Sequence, residues 1–220
     1  DFDPPTYFTI SFWSAHSTVQ EATASLMMKM LIDETLPDKD SYILNIGNVD
    51  LIPSKKALTV AEVNMLIERQ DDCLANLLAP LRCDYDYILV DTGPSLGSLT
   101  INAFTAADGI MIPFDAELFA LVGLKELTDT ISKIKQNLNP RVEITGIFFT
   151  KCSKRTTLYR QISEQVNATF GHLHIFESRI PATVKVGAAN SKGLSVMELD
   201  AKNEAAVAYM NLAKEVLEYA

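Results

Sequence analysis

Asp91 is the residue most clearly placed to do chemistry. It follows an apolar run, Tyr87 to Val90, and precedes a glycine- and proline-containing turn, Thr92-Gly93-Pro94-Ser95-Leu96-Gly97. In phosphate-binding α/β proteins, a strand that ends on a carboxylate and breaks into a turn before a helix is where a magnesium nucleotide is held. As structure alone, the same aspartate would simply cap the next helix. Gly93-x-Ser95-x-Gly97 also matches the strand–turn–helix elbow of serine hydrolases, but no convincing Ser/His/Asp set accompanies it. His172 and His174 would face the same way on a strand, yet a third metal ligand is not evident. Cys73, Cys83 and Cys152 have no metal spacing and read as reduced thiols of a cytosolic protein. Asp1 and Asp3, beside Pro4 and Pro5, are by themselves only turn residues.

The elements that must position these groups alternate. Strands are predicted over 49–53, 87–91, 109–113, 142–150 and 174–177. Helices are predicted over 18–36, 59–69, 71–81, 96–107, 121–138, 157–170 and 201–219. Thr59 with Glu62 three residues on reads as a capping box, and Met27, Met28, Met30 and Leu31 read as the packing face of the first helix. The central strands are continuously apolar. Alternation of this kind predicts an α/β fold, a mostly parallel sheet with helices on both faces.

A chain of 220 residues suits one large α/β domain, and 48% hydrophobic residues are ample for its core. There is no apolar run long enough to cross a membrane, and the acids and prolines of the first residues do not form a secretory signal. A net charge of −9 excludes a general nucleic-acid coat. The charge is uneven, however. The segment 125–192 holds 11 Lys and Arg against 5 acids, leaving 8 of the 19 basic residues and 23 of the 28 acids for the rest. A local face for a polyanion fits that distribution, as do ordinary surface lysines.

The run Tyr85 to Gly97, continued through Leu99-Thr100-Ile101-Asn102-Ala103-Phe104-Thr105-Ala106-Ala107-Asp108, closely resembles the Walker B and switch II segment of the ParA/Soj/MinD family of deviant Walker ATPases. Thr92 and Gly93 stand where that family usually has Cys and Pro. Asp1-Phe2-Asp3-Pro4-Pro5 resembles its Asp-x-Asp-Pro-Gln segment, with Pro5 in place of Gln. Later segments follow the family's order, so the resemblance covers nearly the whole chain. It implies ATP and Mg²⁺ as cofactors. Asp91 and Asp1 would serve the metal and Asp3 the attacking water. Gly93, Ser95 and Gly97 would form the mobile loop near the γ-phosphate, and the backbone of Thr150, Lys151, Ile180 and Pro181 would meet the base. It further implies an ATP-dependent homodimer, a ParB-like partner protein and nonspecific DNA held by Lys151, Lys154, Arg155, Arg160 and Lys185. Where relatives read Ile-Pro-Arg-Asn-Val-Arg, this chain has Ala182 and Lys185 at the arginine positions, which weakens DNA contact there. A MinD-like membrane role is disfavoured because the acidic 213–220 is no basic amphipathic anchor.

The family's phosphate-binding motif, Gly-x-x-x-x-Gly-Lys-[Ser/Thr], occurs nowhere in these residues. The resemblance therefore implies a P-loop-type fold lacking its first βα unit, with the chemistry belonging to an intact protein. The alternative is a non-catalytic regulator that kept the fold without using nucleotide. Without the first strand, the 87–91 strand would have an unpaired edge. These residues alone are expected to unfold easily or aggregate; a cooperative, high-temperature melt would contradict that.

Overall fold

The computed structural model describes residues 1–3, 23–31, 35–117, 119–153 and 156–219, which fall into two units. One comprises residues 1–107 with 136–140, the other 108–135 with 141–220. Pro4, Pro5, Lys154 and Arg155 lie outside the described residues, as do 18–22 and 32–34 of the helix expected over 18–36, of which 35 and 36 are not helical.

The second unit is built on a parallel sheet of three strands, β3 (Gly109–Asp115), β4 (Glu143–Cys152) and β5 (Ile175–Pro181), in that order. Alternation along the strands sends successive side chains to opposite faces. On one face Phe176, Ile180, Met111 and Phe148 meet Leu212 and Val216 of the last helix, α9 (Glu204–Tyr219). On the other, Phe149 lies edge-on to Phe114 and to Tyr159 of helix α6 (Thr157–Phe170), the next helix in the chain after α5 (Ala120–Asn137). Helix α6 buries Ile162, Val166 and Phe170, a spacing of four that makes one stripe. Its start is capped by the Thr156 hydroxyl, which accepts from the Tyr159 N–H at 3.3 Å. The parallel, doubly covered sheet expected from the alternation is thus present in this unit.

Four helices pack together in the first unit: α1 (Thr23–Leu31), α2 (Leu58–Glu68), α3 (Cys73–Leu78) and α4 (Ser98–Ala106). Leu26 and Met27 of α1 are fully buried, in line with a packing role for Met27. Helix α4 is buried nearly all round, so its polar atoms must find partners inside the protein. Asn102 meets this need. Its side-chain oxygen accepts from the Leu74 N–H at 3.2 Å, and its nitrogen donates to the carbonyls of Gln70 at 2.9 Å and Ser98 at 3.2 Å. The far end is tied by Asn139, which donates to the Phe104 and Ala107 carbonyls, and by Arg82, which donates to that of Ala106.

Several expectations are corrected. No strand forms over 87–91; Tyr87 and Leu89 are exposed, Leu89 at 84%. Among the described residues, the pairing of 87–92 is a single parallel bridge, Phe2 with Thr92. A strand needs neighbours for its N–H and C=O groups, and apolar composition alone does not supply them. Thr59 does not cap α2, which begins at Leu58 behind Ala57 with no side-chain cap. The segment 49–53 is one arm of a hairpin, β1 (Leu44–Ile46) with β2 (Val49–Leu51), turning at Gly47, whose φ of 65° suits a tight hairpin turn. Two helices went unforeseen, α7 (Val184–Asn190) and α8 (Val196–Asp200). Among the described residues no helix is long and apolar enough to cross a membrane.

Asn102→Ala strands the Leu74 N–H and the Gln70 carbonyl and should cost about 2–4 kcal/mol in urea unfolding. A loss below about 0.5 kcal/mol would show that α4 does not depend on this residue.

Candidate functional site

The Phe2 N–H donates to the Asp91 carbonyl at 2.9 Å, and Phe2 lies opposite Thr92 in a parallel bridge. Side-chain alternation then decides the rest. Phe2 turns inward and is buried, which sends Asp1 and Asp3 to the opposite face, the one shared by Asp91 and Gly93. The Asp3 carboxylate lies over Gly93: a Cβ placed on that glycine would stand 2.8 Å from Asp3 Oδ1. Gly93 therefore leaves the room that the carboxylate occupies. Around them, the Asp1 nitrogen donates to the Ile52 carbonyl at 3.0 Å and the Ser54 hydroxyl to the Asp3 carbonyl at 2.9 Å. The Asp3 N–H reaches Asp1 Oδ1 at 3.3 Å.

Burial raises the Asp91 carboxyl above its ordinary value, and the nearby Asp3 charge pushes it further up. Burial raises Asp3 as well. The sign follows from linkage. A carboxyl with a raised folded value binds its proton more tightly when folded, so stability is lost as pH rises from the ordinary value of 3.8 through the raised one. The site holds concentrated negative charge that a cation would relieve.

Oxygen donors of this kind suit a hard divalent ion. Among the described residues no three His, Cys, Asp or Glu side chains are gathered into a metal-holding group. Magnesium, which keeps several waters and leans on one or two carboxylates, does not require one. Asp1, Asp3 and Asp91 therefore fit a hydrated Mg²⁺ and do not make a dry metal cage. His172 and His174 are not part of such a group; His174 stacks on Tyr219 with ring centroids 4.1 Å apart.

Past Gly93 the loop runs through Ser95 to Gly97, the residue before α4. The Thr100 hydroxyl donates to the Ser95 carbonyl at 2.5 Å, fixing the turn to the helix it precedes. Glu62, on α2, brings its carboxylate against Gly97.

The other expected residues lie in the second unit. The ends of β4 and β5 pair across an irregular register, Phe149 with Arg179 and Cys152 with Pro181, so Thr150, Lys151, Ile180 and Pro181 come together. The Ile180 side chain is core, leaving only its backbone for a ligand. Lys151 has a φ of 48°, strained for a residue with a Cβ, and its ammonium is 3.0 Å from Asp115. Lys185 pairs with Asp200 at 3.5 Å. Arg160 is exposed on α6.

Asp115 and Glu117, at the carboxyl end of β3, were not singled out from sequence. They edge an open, mainly apolar cleft of about 680 Å³ lined by Phe114, Leu124, Leu127 and Leu158. The available signal was an acid ending an apolar strand, the same one that marked Asp91.

The parallel strands with helical cover in the second unit define an α/β fold, a class that often holds nucleotides at the carboxyl ends of its strands. A family model described as an AAA domain, AAA_31, matches residues 1–144. The chromosome partitioning protein ParA of Caulobacter vibrioides is 38% identical over 172 residues, covering 77% of this chain and 64% of its own length. An uncharacterized Pseudomonas putida protein is also 38% identical, over 78% of this chain and 65% of that protein. The chain thus spans about two thirds of the length of these relatives. A Mycobacterium smegmatis cobyrinic acid a,c-diamide synthase, solved with an ATP analogue and magnesium, superposes with a TM-score of 0.80 at 26% identity, over 100% of this chain and 80% of that one. The chain belongs to the ParA/Soj/MinD family of P-loop ATPases.

Gly93→Ala tests the geometry directly. The new methyl meets only the tip of the Asp3 side chain, so the stability cost should stay below about 1 kcal/mol, while the carboxylate is displaced. A loss of several kcal/mol in thermal unfolding would mean that Gly93 is needed for the fold and not for the room it leaves.

Proposed function

We propose that the chain works within a partition ATPase of the ParA type. ATP brings two subunits together, the dimer holds DNA without regard to sequence, and slow magnesium-dependent hydrolysis, stimulated by a ParB-like partner, releases it. The observation that supports this reading is the Asp3 carboxylate seated over Gly93 beside Asp91, with Phe2 bonded to the Asp91 carbonyl.

When bound, a magnesium nucleotide supplies the phosphoryl group and the charge neutralisation that its transfer needs. The work left to this chain is positioning. Asp91 would hold the metal through its hydration shell, with Asp1 in support. Asp3 would orient the attacking water. The backbone of Gly93, Ser95 and Gly97 would contact the γ-phosphate and change when that group is lost. Thr150, Lys151, Ile180 and Pro181 offer backbone to the base.

On the DNA side, Arg160 is exposed and unencumbered by any ion pair among the described residues. Lys151 and Lys185 are paired with carboxylates, but exposed pairs are worth only about 0–1 kcal/mol and yield readily to phosphate. Lys154 and Arg155 complete the proposed patch. The cellular site proposed is the cytoplasm, at the nucleoid.

Full-length protein should bind a fluorescent ATP analogue only with Mg²⁺ present. Asp3→Ala should lower hydrolysis by about 100-fold while changing nucleotide affinity by less than about threefold, since it removes an interaction used in the transition state. Absence of nucleotide binding by the full-length protein would overturn this reading in favour of a non-catalytic regulator. At low salt with ATP, Lys154→Ala combined with Arg155→Ala should weaken DNA binding about tenfold; unchanged binding would remove the patch.

A further inference from the structure

Gly97 has φ −90° and ψ −173°, backbone that any residue adopts, so its conformation does not call for glycine. What calls for it is Glu62. A Cβ on Gly97 would run into Glu62 Oε1, with Ser95 Oγ 3.7 Å from the same point. The loop after Asp91 is thus met by a carboxylate at each of its two glycines, Asp3 over Gly93 and Glu62 over Gly97.

The two contacts differ in origin. Asp3 arrives on the strand paired with Thr92, whereas Glu62 projects from the second turn of α2. Helix α4 starts behind Gly97 with no side-chain cap of its own, because glycine has none to give. A helix start with uncapped N–H groups favours a nearby negative charge. Glu62 supplies one from another element. Ser98, Leu99 and Thr100 of that first turn are all buried.

We propose that Glu62 is a positioning residue for the 93–97 loop. Its carboxylate holds the start of α4 and thereby keeps Gly93 against Asp3. Glu62 touches neither Asp3 nor Asp91 and acts only through the loop. The catalytic consequence rests on the ATPase reading; the structural one does not.

The test uses full-length wild type, Glu62→Gln, Gly97→Ala and the double variant. Gly97→Ala pushes the Glu62 tip aside without straining the backbone, so it should copy Glu62→Gln. Amide hydrogen exchange over residues 95–100 should quicken about tenfold in each single variant, with no further change in the double. In steady-state hydrolysis, kcat should fall about tenfold or more with KM for ATP within about threefold. Glu62→Asp should recover part of the loss. Wild-type exchange in both single variants, or additive effects in the double, would overturn the inference whether or not ATP is hydrolysed. Variants that exchange as predicted, in a protein whose wild type neither binds nor hydrolyses ATP, would support the latch and defeat the ATPase reading alone.

Discussion

One backbone hydrogen bond sets the geometry of the acidic site: the Phe2 N–H to the Asp91 carbonyl. It fixes register, and in paired extended segments register decides which side chains share a face. A slip of one residue would turn Asp3 inward and Phe2 outward. Burial of Phe2 opposes that slip, since exposing a phenyl ring costs about 1.5–3 kcal/mol. The placement of the carboxylates is therefore enforced by an apolar neighbour that takes no part in chemistry.

The loop and helix downstream of Asp91 are braced from several elements. Asn102 joins α4 to the end of α2 and the start of α3; Asn139 and Arg82 hold its carbonyl end; Thr100 holds the turn in front of it. Nearly every partner is an amide, a hydroxyl or a backbone group with fixed geometry. The acids at the loop, by contrast, sit against glycines. The proposed phosphate switch would rest on that contrast between a braced helix and the loop in front of it.

Much of this was legible in the sequence. Asp91 stood out because an apolar run ends on it before a glycine-containing turn, whereas Asp3 alone read as a turn residue and entered, like the roles of the glycines, only through the family resemblance; Thr157 to Phe170 was readable because its apolar period was clean. Other parts were hidden for physical reasons. The run 87–91 has strand composition, but pairing depends on neighbours that composition does not reveal. Helices α7 and α8 are short and weakly periodic; their signals were caps, Thr183 accepting from the Lys185 N–H and Ser195 with Glu198 in a full capping box. Glu62 was read as a local capping partner for Thr59, whereas its neighbour is Gly97, 35 positions away, a contact only the fold creates.

The account stands on Asp3 and Asp91 acting as one site. A double-mutant cycle on ATP hydrolysis by the full-length protein, using Asp3→Asn and Asp91→Asn, measures this. If the two carboxylates serve one transition state, removing the second after the first should cost little more, with a combined loss far below the product of the single losses. Losses that multiply would mean that the two aspartates act independently and that the shared site does not exist.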